Sequence, residues 1–237
     1  MQTQTITSNL RELGPLMRGE VGALRAWTAD WRVGNMSRDL TLIVTGAGLF
    51  GAAVGWWRDP WQALYAGIKL PLILFLTAAG NALLNAMLAP LLGLHLPFRQ
   101  SFLGILASFA LAATILGAFS PLAAFVIWNA PALDAGANAS TIHAGILLLL
   151  VAVIAFAGIA ANLRLFQLLR SLAGNSGAAW RVLLAWLAGN LFLGSQLSWI
   201  LRPFIGAPGL PVEFLRATAF EGNFYEAVFR SAVNLFN

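Results

Sequence analysis

Residues 101–128 read SFLGILASFALAATILGAFSPLAAFVIW, a run with no charged side chain from end to end. At the rise of an α-helix it covers about 42 Å, more than the ~30 Å hydrocarbon core of a bilayer. Lipid offers the backbone no hydrogen-bond partner, so the run reads as a helix that crosses a membrane. Pro121 is expected to kink this helix or to end its regular part.

Four further runs of the same kind lie on either side. The sequence predicts spans at about 40–57, 70–94, 144–163 and 180–201, with Pro71 opening the second. The first is the shortest and the richest in glycine. The fold class expected is therefore all-α: a polytopic transmembrane bundle of about five spans, with amphipathic interfacial helices at the N- and C-termini. Three regions follow, a cytoplasmic segment 1–38, a transmembrane domain 39–201, and an extracytoplasmic Pro-rich segment with a C-terminal helix, 202–237.

Composition points the same way. Apolar residues make up 59% of the 237 positions and charged residues only 10%, where a soluble domain carries about 25% charged residues. Too few charges remain to coat an aqueous domain. Cysteine is absent, which excludes disulfides, thiolate metal sites and cysteine nucleophiles. Basic residues outnumber acidic ones, 14 to 9. They are scattered between the apolar runs, so orientation and anionic lipid account for them better than nucleic acid does. The first 38 residues hold no apolar core of the length a cleavable signal needs, so the first span is expected to stay as an anchor.

The basic residues predict sidedness. With the N-terminus in the cytoplasm, Arg11, Arg18, Arg25, Arg32, Arg38, Arg99, Arg164, Arg170 and Arg181 fall inside. Arg58, Lys69, Arg202, Arg216 and Arg230 fall outside. The imbalance favours a multi-pass protein of the cell membrane, N-terminus in and C-terminus out. Trp56, Trp57, Trp128, Trp180 and Trp199 mark span ends, where amphipathic rings favour the headgroup level. The segment 58–69, RDPWQALYAGIK, is read as a short helix lying along the membrane plane, with Pro60 in its first turn.

Upstream, LMRGEVGALRAWTADWR (16–32) places Arg18, Arg25 and Arg32 seven residues apart, in a stripe beside an apolar arc of Leu16, Val21, Leu24, Trp27 and Trp31. Such a helix suits a membrane surface, with the arginines reaching lipid phosphates. Glu20 falls inside the apolar arc, and Gly19 and Gly22 weaken the helix; a loose tail obeying only the positive-inside bias is the plainer alternative. At the other end, Asn223 and Glu226 form a capping box for a ring-rich amphipathic helix. The linker RPFIGAPGLPVEFLR (202–216) carries three prolines, which make it stiff and suited to packing over the outer face.

Chemistry is scarce. His95 and His143 lie on opposite sides of the membrane in this topology and cannot share a metal ion. Asp134, Ser140 and His143 share a loop that carries no nucleophile elbow. No carboxylate falls within a predicted span, which argues against proton coupling. No catalytic residue, metal or cofactor is therefore expected, and the chain reads as a non-enzyme. What remains is uncharged polarity: a stripe of Thr77, Asn81 and Asn85 in the second span, and Asn190, Ser195, Gln196 and Ser198 in the fifth. These either bond between helices or line a cavity for a solute. Gly46, Gly48, Gly51 and Gly55 give the first span a surface that another helix can approach closely.

The order of features resembles the Yip1 family of five-span membrane proteins. LPFRQSFLGILASFALAATILGAFSPLAAF (96–125) is similar to that family's middle section, a short basic turn followed by a long span broken by proline. The resemblance covers about residues 60–200 and maps no functional residue onto this chain. It implies a non-enzymatic role through association with other membrane proteins. The expected function is that of a scaffold or accessory subunit, with the lipid bilayer and its anionic headgroups, other membrane proteins or a second copy as partners. A small channel or facilitator for an uncharged solute is the alternative.

Overall fold

In the computed structural model of the chain, the regular elements are α-helices: α1 (Val33–Gly55), α2 (Pro60–Leu91), α3 (Phe98–Asn129), α4 (Ala139–Ala173) and α5 (Ser176–Ile200). The structure describes residues 33–92, 98–131, 139–206 and 210–226, with Gly14, Pro15, Arg18, Glu20, Gly22, Ala23 and Ala26 upstream, and no strand occurs among them. Four helices are long and apolar enough to cross a membrane, over Pro60–Asn85, Ser101–Asn129, Gly145–Ser171 and Ser176–Ile200. By length and composition the chain is a membrane-embedded helical protein.

The helix ends follow local rules. Asp59 caps α2, its Oδ1 accepting the Trp61 N–H at 2.8 Å, and Pro60 sits at the first position, where no N–H is needed. Gly174 ends α4 in the left-handed region, φ 62°, a conformation that glycine adopts without strain. Asn175 then caps α5, accepting the Gly177 N–H at 2.7 Å.

α2, α3, α4 and α5 close into a ring, each packed on its two neighbours, while α1 lies in the groove between α2 and α3. The ring is filled by side chains such as Leu106, Leu169 and Trp186, and α1 contributes Ile43 and Phe50. α1 is not among the four long apolar helices. Its uncharged run from Leu40 to Gly55 covers about 24 Å, short of the ~30 Å core. What it has instead is close packing. An added Cβ at Gly51 would lie 2.5 Å from the Ala66 carbonyl oxygen, one at Gly55 2.6 Å from that of Gln62, and one at Gly46 would overlap that of Ala113.

Several expectations are corrected. The segment 58–69 is not a separate surface helix: α2 runs unbroken from Pro60 to Leu91, with Pro71 inside it. Pro71 lacks the N–H that would bond the Gly67 carbonyl. That carbonyl faces Gly48, whose added Cβ would lie 3.2 Å away, a spacing that permits Cα–H···O contact. Pro121 likewise neither ends nor interrupts α3. The Gly117 carbonyl that it leaves without an N–H takes the Ser120 hydroxyl instead, at 2.7 Å, as membrane helices with proline require. α4 extends beyond 144–163 at both ends and carries Arg164 and Arg170 within it. α1 starts at Val33, so a boundary at 38/39 falls inside a helix.

The bundle has two chemically distinct ends. The Trp57 indole donates to the Pro131 carbonyl at 3.1 Å, and its ring lies 6.0 Å from His143. Arg58 Nη2 donates to the Leu210 carbonyl at 2.8 Å. The α1–α2 turn, the start of α4 and the chain after α5 therefore share one end, here the tryptophan end. The α4–α5 turn and the beginning of α3 lie at the other, the arginine end, with Arg38, Arg99, Arg170 and Arg181.

Candidate functional site

Two buried polar seams stand out, and both involve α2. The first runs between α2 and α5. Thr77, Asn81 and Asn85 recur every four residues on one side of α2, and all three are buried. Asn81 Nδ2 donates to the Trp186 carbonyl at 2.9 Å and to Asn190 Oδ1 at 2.6 Å. Asn85 Nδ2 donates to the Asn81 carbonyl at 2.8 Å and to Asn81 Oδ1 at 2.6 Å. Glycine on α5 makes room: an added Cβ at Gly189 would overlap Asn81 Oδ1, and one at Gly194 would touch Thr77. Of the stripe read from the sequence, Asn81, Asn85 and Asn190 are thus joined by hydrogen bonds, Thr77 lies against Gly194 without a bond, and Gln196 takes part in none of these bonds. Thr77 Oγ1, Asn85 Oδ1 and Trp186 Nε1 are buried without a partner among the described residues.

Chemically this seam is neutral. It offers amide donors and acceptors and no group that titrates near pH 7. Asn81→Leu removes the central amide, leaving Asn190 Oδ1 and Asn85 Nδ2 short of a partner. The expected loss is about 1–3 kcal/mol, read as a lower unfolding midpoint in detergent. An unchanged midpoint would show that the amides contribute nothing to packing.

The second seam lies at the tryptophan end, where residues 201–206 and 210–216 fold back against α2. Gln62 and Lys69, seven residues apart on one face of α2, are both fully buried. Gln62 Nε2 donates to the carbonyls of Pro203 at 3.1 Å and Phe204 at 2.6 Å. Lys69 Nζ donates to the Pro203 carbonyl at 2.8 Å and lies 5.0 Å from the Phe214 ring and 5.9 Å from that of Phe204. Irregular backbone at membrane depth persists only where protein satisfies its polar groups, and these two side chains do so. Further out, Arg202 stacks over the Trp199 ring at 3.8 Å and donates to the carbonyls of Trp199 at 2.7 Å and Thr218 at 3.1 Å. Burial first, then the neighbouring Arg216, lower the Arg202 pKa, while Glu221 raises it.

Sequence reading missed this seam because it put Lys69 on a surface helix. It also expected no buried charge, and that is overturned twice. Lys69 is inaccessible, and Asp39 in α1 is 1% exposed, 3.5 Å from the Arg38 guanidinium. One signal was available: Lys69 is the single lysine among 14 basic residues. A compact ammonium on a flexible stem fits a carbonyl beneath two rings where the broad guanidinium fork does not.

The remaining candidates separate. Gly48, Gly51 and Gly55 face α2, and Gly46 faces α3. Arg18 pairs with Glu20 at 2.9 Å on an exposed surface. Arg11, Arg25 and Arg32, and with them most of the N-terminal helix, lie outside the described residues, as do His95, Asp134 and the chain beyond Glu226. His143 sits against Trp57, and burial lowers its pKa. No cluster of three metal-ligating residues occurs among the described residues. Comparison with family models, curated proteins and solved structures gives no match to this chain.

Proposed function

We propose that this chain is a non-catalytic integral membrane protein that acts through helix contacts, as a scaffold or accessory subunit. The observation that carries this reading is the second half of α5. The buried residues of α5 all lie between Ala178 and Trp186. Beyond them Ser195, Gln196 and Ser198 are half-exposed. Polar side chains on the outside of a membrane helix gain by bonding to another helix. Ser195 already has one partner, donating to the Tyr225 hydroxyl at 3.0 Å. The span order shared with Yip1-like proteins supports the same role.

Five spans, with the N-terminus inside, fit this reading. α1 would cross by sharing the groove of α2 and α3. The arginine end holds Arg38, Arg99, Arg164, Arg170 and Arg181 against Asp39. The tryptophan end holds Arg58, Lys69, Arg202 and Arg216, while Arg11, Arg18, Arg25 and Arg32 precede α1 in the sequence and add to the count on the side where α1 starts. The arginine end therefore belongs in the cytoplasm. The cysteine-free chain makes this measurable: Asn175→Cys should label only from the cytoplasmic side and Val212→Cys only from the other. Labelling of both from one side would overturn the orientation.

The association itself is tested by capture after mild solubilisation. A partner or a second copy should co-purify with the wild type and be lost on Gln196→Leu with Ser198→Leu, while Asn81→Leu keeps it. Purification as a bare monomer, with no crosslink formed in native membranes, would overturn the proposal. A facilitator remains the second reading, favoured by the unpartnered Thr77 Oγ1 and Asn85 Oδ1. It requires solute flux in liposomes that Asn81→Leu abolishes.

A further inference from the structure

At the tryptophan end, Asp59, Trp61, Tyr65 and Val212 line an open cleft of about 280 Å³. Trp61 and Tyr65 stand about one turn apart on α2, their ring centroids 6.4 Å apart and their planes tilted by 37°. The Tyr65 ring is held by Phe214, edge to face at 5.4 Å. One carboxylate oxygen of Asp59 caps α2, and the other makes no hydrogen bond among the described residues. A carboxylate that shares a cleft with aromatic rings is the chemistry that takes an ammonium group. The cleft opens at the first turns of α2, the level where headgroups lie.

A basic residue follows in the segment that holds Tyr65. Arg216 lies two residues beyond Phe214, and its side chain has no hydrogen bond and no ion pair among the described residues. Arg58 Nε is buried without a partner among the described residues, while its Nη2 is bonded to the Leu210 carbonyl. The other cations here are already committed to backbone carbonyls, Lys69 to Pro203 and Arg202 to Trp199 and Thr218. The surface therefore offers a cleft lined by a carboxylate and two rings and, two residues past the Phe214 that packs on Tyr65, a guanidinium with no partner among the described residues. We propose that this site binds the headgroup of a zwitterionic phospholipid, the ammonium against Asp59, Trp61 and Tyr65 and the phosphate on Arg216. The site stands independently of whether the chain associates with a protein partner.

The test uses the full chain, purified in mild detergent from membranes that contain phosphatidylethanolamine and phosphatidylglycerol, with retained lipid measured by mass spectrometry. Wild type should retain phosphatidylethanolamine in stoichiometric amount. Asp59→Asn keeps a capping side chain on α2 and should lower that retention roughly tenfold, with phosphatidylglycerol unchanged. Trp61→Ala, at a ring 63% exposed, should do the same without loss of thermal stability, and Arg216→Gln should weaken retention of both lipids. Displacement by soluble phosphoethanolamine would support the headgroup contacts and assign recognition to the free zwitterion. Retention in its presence would support the lipid as ligand. Equal phosphatidylethanolamine retention by wild type and Asp59→Asn, or a wild-type preference for phosphatidylglycerol, would overturn the proposal.

Discussion

Gly51→Leu is expected to yield no folded, monodisperse protein. The first atom of the new side chain would lie 2.5 Å from the Ala66 carbonyl oxygen, 2.9 Å from its carbon and 2.9 Å from a Leu70 methyl. Two of these three are backbone atoms of α2, so no rotamer relieves the clash and the helices must separate. Separation uncovers more than one contact. Gly48 opposite Gly67, and Gly55 opposite Gln62 and Ala63, depend on the same approach. Overpacking a core costs about 1–3 kcal/mol where side chains can shift. Here backbone must move along a whole seam, and the loss should exceed about 4 kcal/mol, in the range that unfolds a marginal domain. The control is Gly158→Leu on α4. An added Cβ there meets nothing within 4 Å, and replacing a mid-helix glycine gains about 0.5–1 kcal/mol. Unfolding followed in detergent should show the two variants on opposite sides of wild type. Similar midpoints for both would mean that α1 does not pack on α2 at glycine distance.

The same glycines explain what could be read in advance and what could not. A lipid-facing helix announces itself by an uncharged run, as residues 101–128 do, because the requirement is local and uniform along the run. Close packing left a partial trace: the spacing of Gly46, Gly48, Gly51 and Gly55 marked a surface for close approach, while the partners were hidden. Those partners are carbonyls of Ala66, Gln62 and Ala113, and a carbonyl has no sequence signature. Proline misled for a related reason. Its effect on a helix depends on what satisfies the carbonyl four residues back, and for Pro121 that is its neighbour Ser120. For Pro71 the solution lies on another helix, at Gly48.

The polar stripe was legible in outline. Thr77, Asn81 and Asn85 repeat at helical spacing, and Asn190 was one of four polar residues on the fifth span that could bond to another helix. Gln196 was grouped with them on residue type alone, and the register of α2 on α5 leaves it out. The tryptophan-end seam was legible only in part: the three prolines of 202–216 marked a segment suited to packing over the bundle, and the lone lysine stood out, but what joins the two was hidden. Its acceptors are the carbonyls of Pro203 and Phe204, more than 130 positions from Lys69 in sequence. A basic residue near a span end reads as interfacial under the positive-inside rule. Nothing local distinguishes it from one drawn inward by a folded-back segment.

Lys69→Glu is expected to free the segment 201–216 from the bundle, whereas Lys69→Met is expected to leave it in place. Lys69 lies about 14 Å along α2 from Pro60, with one carbonyl and two rings for partners and no carboxylate within ion-pair distance among the described residues. Removing the charge altogether loses one hydrogen bond, about 1–3 kcal/mol. It also removes the desolvation cost of the ammonium, and methionine fills the space against Phe204 and Phe214. The two effects oppose each other, and Gln62 still holds both carbonyls. Glutamate reverses every contact: its carboxylate faces the Pro203 oxygen and the negative faces of the rings. An uncompensated buried charge costs about 3–5 kcal/mol, more than the Gln62 bonds return. The segment should therefore come away while the α2–α5 ring stays folded. Labelling of Val212→Cys should accelerate at least tenfold in Lys69→Glu and stay near the unmutated rate in Lys69→Met. Because Val212 is one wall of the headgroup cleft, phosphatidylethanolamine retention should fall only in the glutamate variant. Equal labelling rates in the two variants would show that a polar or apolar plug at residue 69 serves equally. The ammonium would then not be what holds the chain over the end of the bundle.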